Sequence, residues 1–572
     1  MQRYSFSFRL FYVLLFYVIF VFSSCKQANP GLHQYEITKS VISDSAAVVC
    51  AHPVAAKVGV DILKSGGNAV DAVIAVQLAL AVCYPNAGNI GGGGFMVFRG
   101  SNGEISALDY REKAASAATT NMYLDSIGNP IVEKSLFGHL AAGVPGSVDG
   151  MVKAYEKYSK LKDWKKLVQP AIDIAQNGFK ITQREADNLN EDQEKFKKYN
   201  LASTAFQKSK WEAGDLLIQP ELATTLTAIR DMGRAGFYEG KVADFIVQEM
   251  KDGGGIISHQ DLRDYNAAWR EPVVTNYRGH KVISMPPPSS GGLLLVQLLK
   301  MVEPYDLSAM KFHSPAAVHL IAEAERRAYA DRAKYMGDPD FYKVPAGKLS
   351  DSQYILSRMK DFDPRKASKS DSITPGMIES AETTHISIVD AEGNAVAVTT
   401  TLNGGYGSYT VVRGAGFLLN NEMDDFSVKP GAPNMYGLVG GEANKIEPGK
   451  RMLSSMTPTI IEKDGKLKMV VGTPGGSTII TSVFQTITNV IDFGMDADKA
   501  VQSPRFHHQW LPDQIFVEKD AISVSDRKAL EAIGHTLKDR GAIGRVEAIV
   551  KRDDGKLHSA ADRRGDDDAK GY

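Results

Sequence analysis

One segment of the chain decides the fold. Residues 382–401 read ETTHISIVDAEGNAVAVTTT. The run 386–389 predicts a strand, the Glu-Gly-Asn at 392–394 predicts a turn, and the run 395–400 predicts a second strand. Two short strands joined by a glycine-containing turn indicate an antiparallel hairpin. An irregular region precedes the first strand, and a pair of threonines, 383–384, lies where that strand begins.

The same pattern recurs further along the chain. Two runs flank Asp464-Gly465, and two more flank Asp554-Gly555. Repeated hairpins predict antiparallel sheet. Helical patterns cover 68–83, which is almost continuously apolar, most of 151–263, which is rich in lysine and glutamate, and 319–332. Sheets with helices packed on their faces predict an α+β fold.

Composition narrows the classes of function. The chain has 572 residues, 43% apolar and 23% charged, which is the mix of an ordinary globular protein. Lys plus Arg number 66 and Asp plus Glu 67, so a net charge of −1 provides no bulk positive field, and we expect no nucleic-acid partner. Three cysteines exclude a disulfide-dense scaffold and a four-cysteine zinc site. We expect neither a metal nor a cofactor.

Motifs of several common catalytic sites are missing from the sequence. It has no His-Glu-x-x-His helix, no phosphate loop and no Gly-x-Ser-x-Gly elbow. The pair His507-His508 suggests a metal site, but neighbours on a strand point to opposite faces, so we expect one packed and one exposed ring. Cys50 and Cys83 stand in apolar surroundings and are expected to be buried, inert thiols.

The N-terminus has the features of a secretion signal. Two arginines precede an apolar run, 10–22, which is shorter than the roughly 20 residues of a membrane span but suits a signal-peptide core. Small residues before the single Cys25 resemble a bacterial lipobox. We expect a lipoprotein signal peptide over 1–24, lipid on Cys25 as the only membrane contact, a tether over 25–40, and a place in the periplasm or on the cell surface. The alternative is a plain secretory signal with an incidental cysteine.

The segment around Thr383 resembles the processing site of the γ-glutamyltransferase (γ-glutamyltranspeptidase) family, a branch of the N-terminal-nucleophile hydrolases. The likeness extends over nearly the whole mature chain. Each matching block is weak alone, but so many in order are very specific. The blocks are GGNAVD at 66–71, AGNIGGGGFM at 87–96, LDYRE at 108–112, GVPG at 143–146, PPPSSGG at 286–292, DR at 331–332, GDP at 337–339, LNNEMDDF at 419–426, LSSMTP at 453–458, GTPGGS at 472–477, PRFHHQ at 504–509 and GY at 571–572.

The resemblance implies a four-layer αββα sandwich and a precursor that cuts itself between Glu382 and Thr383. It implies a large subunit over 41–382 and a small, catalytic subunit over 383–572. A hydroxyl is a poor nucleophile near neutral pH and needs a base beside it. Cleavage would free the α-amine of Thr383, whose ordinary pKa of about 7.7–8.0 suits a general base. By the family pattern, Thr401 would hydrogen-bond the Thr383 hydroxyl.

The resemblance also assigns groups that would bind a γ-glutamyl donor. The donor's α-carboxylate calls for a guanidinium and hydroxyl donors, and its α-ammonium calls for acceptors. Two glycine amides after a strand can stabilise a developing oxyanion. The matching residues are Arg111, Ser454 and Ser455 for the carboxylate, Asn403, Glu422 and Asp425 for the ammonium, and Gly475 and Gly476 for the oxyanion.

Three points of this pattern stay open. Position 422 is Glu where some family members have Gln, but both accept a hydrogen bond from an ammonium, so we expect little consequence. Asp425 is chosen over the adjacent Asp424 on the family match alone. The stretch 430–441 resembles the lid loop of bacterial members. Tyr436 in that loop is a candidate gate, although an exposed aromatic there can simply pack locally.

The predicted reaction moves the γ-glutamyl group of glutathione, or of a related amide, through a γ-glutamyl-threonine ester. The acceptors would be water, amino acids or peptides, and the two subunits of one precursor would be each other's partners. One alternative is a cephalosporin or glutaryl acylase of the same superfamily, although a glutaryl group lacks the α-amine that would explain Glu422 and Asp425. The other is a processed but inactive lipoprotein that binds peptides.

Overall fold

The structure is a computed structural model that describes residues 35–372, 383–429, 434–435 and 441–572. Its strands are β1 (Ser40–Ser43), β2 (Ala47–Cys50), β3 (Gly93–Arg99), β4 (Ile105–Tyr110), β5 (Phe179–Lys180), β6 (Leu216–Leu217), β7 (Ala268–Arg270), β8 (Val273–Tyr277), β9 (His280–Ser284), β10 (Thr384–Val389), β11 (Ala395–Thr401), β12 (Thr459–Lys463), β13 (Lys466–Gly472), β14 (Phe506–His507), β15 (Ile515–Val517), β16 (Leu537–Asp539), β17 (Glu547–Lys551), β18 (Leu557–Ala561) and β19 (Asp568–Gly571).

Helices alternate with these strands. They are α1 (Pro53–Lys64), α2 (Ala69–Cys83), α3 (Val132–Leu136), α4 (Ser147–Tyr158), α5 (Trp164–Asn177), α6 (Gln183–Glu191), α7 (Gln193–Tyr199), α8 (Pro220–Met232), α9 (Ala235–Tyr238), α10 (Gly240–Gly253), α11 (His259–Asp264), α12 (Gly291–Val302), α13 (Leu307–Met310), α14 (Pro315–Tyr335), α15 (Ala346–Leu349), α16 (Ser352–Ser357), α17 (Thr478–Ile491), α18 (Ala497–Gln502) and α19 (Val524–Ala532). The predicted hairpins are confirmed as β10–β11, β12–β13 and β17–β18, and the two predicted single helices as α2 and α14.

Two seven-stranded antiparallel sheets form the centre of the molecule. The first sheet has the order β19-β2-β10-β11-β3-β4-β7, and the second has the order β1-β18-β17-β13-β12-β9-β8. In both orders every pair of neighbours runs antiparallel. The predicted hairpin β10–β11 therefore lies in the middle of the first sheet, where it is paired on both sides.

Alternating side chains place each sheet between two apolar layers. Val49 and Val97 of the first sheet share a cluster with Val470 and Ile549 of the second, so these inward faces pack on each other. The outward faces are covered by helices: Ile386 of β10 packs in the cluster that contains α2, and the second sheet packs in the cluster that contains α12, α14 and α17. The predicted four-layer αββα sandwich is confirmed.

Helix α2 shows why this packing follows from the sequence. Every residue of the helix is buried, which explains its almost continuously apolar composition. Its start is fixed by a capping box, in which the Asn68 side chain accepts from the Asp71 backbone N–H and the Asp71 carboxylate accepts from the Asn68 N–H. Asp390, in the β10–β11 turn, accepts from the Ala69 N–H and so ties the helix to the central hairpin.

The expectation of one packed and one exposed ring at His507-His508 is wrong. Both residues are fully buried, because α14 and α17 pack against this segment. The His507 ring hydrogen-bonds the Thr481 hydroxyl in α17, and the His508 backbone N–H donates to Glu325 in α14. Cys50 and Cys83 are free and buried as predicted, and burial raises the pKa of both thiols.

The described part of the predicted tether, 35–40, contacts the body of the protein. The Tyr35 hydroxyl donates to the Lys180 carbonyl, and the Thr38 N–H donates to Asp568. Among the described helices, none is long and apolar enough to cross a membrane. The predicted signal peptide and Cys25 lie outside the described residues.

Candidate active site

Strand register brings the two predicted threonines together at one end of the first sheet. Thr384 lies opposite Thr400 in the β10–β11 pair. One step further along this antiparallel register, Thr383 faces Thr401. Thr383 is buried, with 4% of its surface exposed, although it lies just outside the strand. A threonine at the start of a central strand has its hydroxyl held in a fixed direction, which suits a nucleophile.

Arg111 reaches the same end of the sheet through β3 and β4. Thr401 pairs with Gly93, the first residue of β3, and the next residue, Gly94, pairs with Tyr110, the last residue of β4. Arg111 follows directly. Three successive antiparallel pairings therefore place the candidate nucleophile and a guanidinium at the same end of the sheet, although the two residues are far apart in sequence.

The second sheet supplies further groups at its corresponding end. Because Thr459 pairs with Val471, β12 begins where β13 ends. The serine pair 454–455 precedes β12, and the glycine pair 475–476 follows β13. Both sheets thus contribute loops at the same end of the sandwich, as expected for a site whose loops are positioned by a rigid scaffold.

These loops surround one small cavity. Except for Gly475, every predicted catalytic and substrate-binding residue lines it: Arg111, Thr383, Thr401, Asn403, Glu422, Asp425, Ser454, Ser455 and Gly476. The apolar side chains of Met456 and Ile479 complete the wall. Gly475 lines a second cavity instead. Glu382 and Tyr436 lie outside the described residues.

Arg111 is the electrostatic centre of the cavity. Its guanidinium is 1% exposed and pairs through separate nitrogens with Glu422 and Asp425, each at an N–O distance of 2.5 Å. Glu112 lies 3.6 Å away, and the carbonyls of Met452 and Leu453 accept further hydrogen bonds. One buried cation is thus surrounded by three carboxyl groups.

Burial and charge act in opposite directions on this cluster. Burial alone would lower the pKa of Arg111, but its three acidic neighbours outweigh burial and raise it. For Glu422 and Asp425 burial dominates and raises the pKa of both carboxyls, although Arg111 opposes the shift. Burial likewise raises the pKa of Glu112. A cluster with more acids than bases favours a ligand that brings a positive charge.

The adjacent acids Asp424 and Asp425 face different partners. Asp425 binds Arg111 and accepts from the Asn434 side chain at 2.9 Å. Asp424 accepts from the Ser135 hydroxyl and from the Met435 N–H, both at 2.7 Å. Asp425 therefore lines the cavity, whereas Asp424 anchors the loop beside it.

The serine pair is held by a second arginine. Arg332 donates from Nη2 to the Ser455 hydroxyl at 3.0 Å and from Nε to Ser290, and burial lowers the pKa of Arg332 to about 10. The Ser454 hydroxyl accepts from the Met456 N–H. Sequence reasoning gave Arg332 no role, although the Asp331-Arg332 block was a signal for it.

The loop after β11 takes a constrained shape at the cavity. Asn403 has a φ of +75°, a left-handed conformation that asparagine tolerates better than most residues. Its N–H donates to the Thr401 hydroxyl at 2.7 Å, and its side-chain amide donates to the Asn421 carbonyl. On the opposite wall, Gly476 has a φ of +53°, also in the left-handed region.

Among the described residues one group has the spacing of a metal site, outside the cavity: His319, Glu323 and His535. The two imidazoles hydrogen-bond each other at 2.7 Å, and Glu323 forms ion pairs with Arg326 and Arg327. The group is therefore already satisfied by protein partners, and the cavity chemistry described above uses none of it.

Comparison with known proteins gives relatives that match most of the chain. The profile described as Gamma-glutamyltranspeptidase matches residues 55–572. A "Glutathione hydrolase proenzyme" of Escherichia coli (strain K12) is 47% identical over 539 residues, 93% of each chain. The solved gamma-glutamyltranspeptidase of Helicobacter pylori is 46% identical, with a TM-score of 0.55, over 60% of this chain and 97% of its own. A cephalosporin acylase from Bacillus halodurans is 25% identical, with a TM-score of 0.82, over 96% of this chain and 99% of its own.

Two stacked antiparallel sheets between helical layers, with a threonine at the entry of a central strand and facing a polar cavity, define an N-terminal-nucleophile hydrolase. Within that class the sequence match is decisive, because it covers nearly the whole chain at close to half identity. The chain belongs to the gamma-glutamyltranspeptidase family.

Arg111→Lys tests the role of the planar guanidinium. A lysine keeps the charge but offers a single nitrogen where Arg111 serves Glu422 and Asp425 through two. Losing a charge-assisted hydrogen bond costs about 1.5–3 kcal/mol, so kcat/KM with a γ-glutamyl anilide should fall roughly ten- to a hundredfold. The matched control is Arg99→Lys, at the other end of β3, where another buried arginine pairs with Glu462. Equal losses in both variants, or no loss, would show that Arg111 only supports the fold.

Proposed function

We propose that this protein is an autoprocessing γ-glutamyltransferase and glutathione hydrolase, with Thr383 as nucleophile. The observation that carries the proposal is one cavity that joins the strand-entry threonine to a buried guanidinium–carboxylate pair. Acyl transfer needs a nucleophile, and the threonine hydroxyl provides one. The guanidinium–carboxylate pair is complementary to the zwitterionic α-carbon end of a γ-glutamyl group.

Charge exchange explains why the pair suits this donor. In the free site Arg111 pairs with both Asp425 and Glu422. When a γ-glutamyl donor binds, its α-carboxylate pairs with Arg111 and its α-ammonium pairs with Asp425 and Glu422. Each buried protein ion pair is then replaced by a protein–ligand pair, so no charge is left unpaired in the low-dielectric interior. Ser454 and Ser455 add hydroxyl donors to the carboxylate.

Processing and turnover use the same hydroxyl. In the precursor, the Thr383 Oγ attacks the Glu382 carbonyl, the peptide C–N bond breaks, and the resulting ester is hydrolysed by water. The freed α-amine then takes the hydroxyl proton as Oγ attacks the donor's γ-carbonyl, and it returns the proton to the leaving amine. Gly476, which lines the cavity, supplies a backbone amide for the oxyanion. Water or an acceptor amine attacks the γ-glutamyl-threonine ester and regenerates the enzyme.

The acylase alternative explains fewer features of the cavity. The cephalosporin acylase from Bacillus halodurans shares the fold but only 25% of residues, against 47% for the Escherichia coli glutathione hydrolase. A glutaryl donor has a carboxylate for Arg111 and nothing for Asp425 or Glu422. On entering, a glutaryl donor would displace Glu422 and Asp425 from Arg111 and would bring no cation to replace it.

Thr383→Ala tests processing. Without the hydroxyl no ester can form, so the variant should remain one uncut chain and show no γ-glutamyl hydrolysis. Thr383→Ser is the matched control, because it keeps a hydroxyl at the same place and should restore cleavage at a reduced rate. Electrophoresis under denaturing conditions and an anilide assay read out both properties. A cut Thr383→Ala protein would exclude the mechanism.

Asp425→Asn tests the ammonium site. It removes the charge while nearly preserving shape, so kcat/KM for a γ-glutamyl anilide should fall roughly ten- to a hundredfold relative to that for a glutaryl anilide. Because the two kcat/KM values are compared as a ratio, a general loss of folded enzyme lowers both equally and cancels. Asp424→Asn is the control, because Asp424 binds Ser135 and Met435 instead of the cavity, and it should leave the ratio as in wild type. If the Asp425→Asn ratio is also unchanged, the acylase alternative gains.

We also propose that the protein is a lipoprotein, held by lipid on Cys25 in the periplasm or at the cell surface. The support is the apolar run 10–22 followed by the small residues before Cys25. Cys25→Ser removes the lipidation thiol, so the enzyme should move from the membrane fraction to the soluble fraction without losing activity. Wild-type protein found wholly in the soluble fraction would favour the plain secretory signal.

A further inference from the structure

Arg332, on α14, is a buried guanidinium that lies behind the serine pair, outside the lining of the active-site cavity. It donates from Nη2 to the Ser455 hydroxyl and from Nε to the Ser290 hydroxyl. Ser290 in turn donates its hydroxyl proton to the Ser454 carbonyl at 2.7 Å, and its backbone N–H donates to the same carbonyl at 2.8 Å. One side chain is therefore connected to both serines of the pair, to Ser455 directly and to Ser454 through Ser290.

These hydrogen bonds determine what the serine hydroxyls can offer to a ligand. A serine hydroxyl has one proton to donate and two lone pairs that accept, whereas a guanidinium can only donate. The Ser455 hydroxyl is thus an acceptor toward Arg332, and the Ser454 hydroxyl is an acceptor toward the Met456 N–H at 3.1 Å. Both serines line the cavity. Each hydroxyl proton is therefore left for an acceptor in the cavity, and a carboxylate is a strong one.

Arg332 also adds a positive charge behind this wall of the cavity. Burial lowers its pKa to about 10, so the guanidinium stays protonated at neutral pH. Within the described part of the chain no carboxylate forms an ion pair with Arg332, whereas Arg111 has three acidic neighbours. A buried charge without a direct counter-ion is costly, and an anion bound nearby recovers part of that cost. The wall that carries the serine pair therefore favours an anion.

We propose that Arg332 is a positioning residue that sets the preference for donors with an α-carboxylate. It acts through the serine pair, whose hydroxyl protons it leaves directed at the donor, and through its charge. This inference rests on the proposed function, in which Ser454 and Ser455 contact the α-carboxylate of a γ-glutamyl group. That carboxylate is remote from the scissile amide, so its contacts are the same in the bound donor and in the transition state. Their loss should raise KM more than it lowers kcat.

Two anilide donors that differ only in the α-carboxylate test this role. A γ-glutamyl anilide carries the carboxylate, and a γ-aminobutyryl anilide has hydrogen in its place but keeps the amine. Arg332→Gln removes the charge, so the ratio of kcat/KM for the first donor to that for the second should fall roughly tenfold, mainly through KM of the γ-glutamyl donor. Arg332→Lys keeps the charge but loses the planar fork that serves Ser290 and Ser455 together, so it should restore only part of the ratio.

Arg327→Gln is the matched control, because Arg327 is another buried arginine of α14 and pairs with Glu323 and Asp361 instead. This variant should keep the wild-type ratio even if it loses stability. If Arg332→Gln does not fold, the ratio measured for Arg332→Lys decides. Arg332 variants that keep the wild-type ratio, or an Arg327→Gln protein that lowers it as much, would overturn this inference alone. Wild-type enzyme that cleaves no γ-glutamyl compound would instead overturn the proposed function.

Discussion

The antiparallel pairing of β10 with β11 is the constraint on which the site depends. It places Thr383 opposite Thr401. The pairings of β11 with β3 and of β3 with β4 then place Arg111 at the same end of the sheet. Because side chains alternate along a strand, a slip of one residue would turn every inward group outward. Central position, pairing on both sides and apolar layers on both faces prevent that slip. The direction of the nucleophile is therefore set by the core of the sandwich.

Charge is the second constraint. Arg111, with its three acidic neighbours, is a buried cluster that costs desolvation energy, and a buried ion pair is weak evidence for stability. In the proposed function the cluster binds substrate, and its pairing in the free protein would keep the site organised and reduce the ordering that binding must otherwise supply.

Much of this architecture could be predicted from the sequence, because its signals are local. Turn residues between short strands predicted the hairpins, and continuous apolar composition predicted α2. Family resemblance supplied the site residues that now line one cavity. Long-range contacts could not be predicted in this way, because the pairing of Arg111 with Glu422 and Asp425 joins residues more than 300 positions apart. The error at His507-His508 has the same origin, since only the tertiary fold shows that α14 and α17 pack against this segment.

The central claim is that Thr383 is both the new N-terminus and the residue that carries the γ-glutamyl group. The most direct measurement is peptide mapping by mass spectrometry of wild-type enzyme, acid-quenched during turnover of a slow γ-glutamyl donor. The small subunit should begin at Thr383 and should carry the γ-glutamyl mass on its first residue. A label on any other residue, or an active enzyme whose chain remains continuous through Glu382-Thr383, would contradict it.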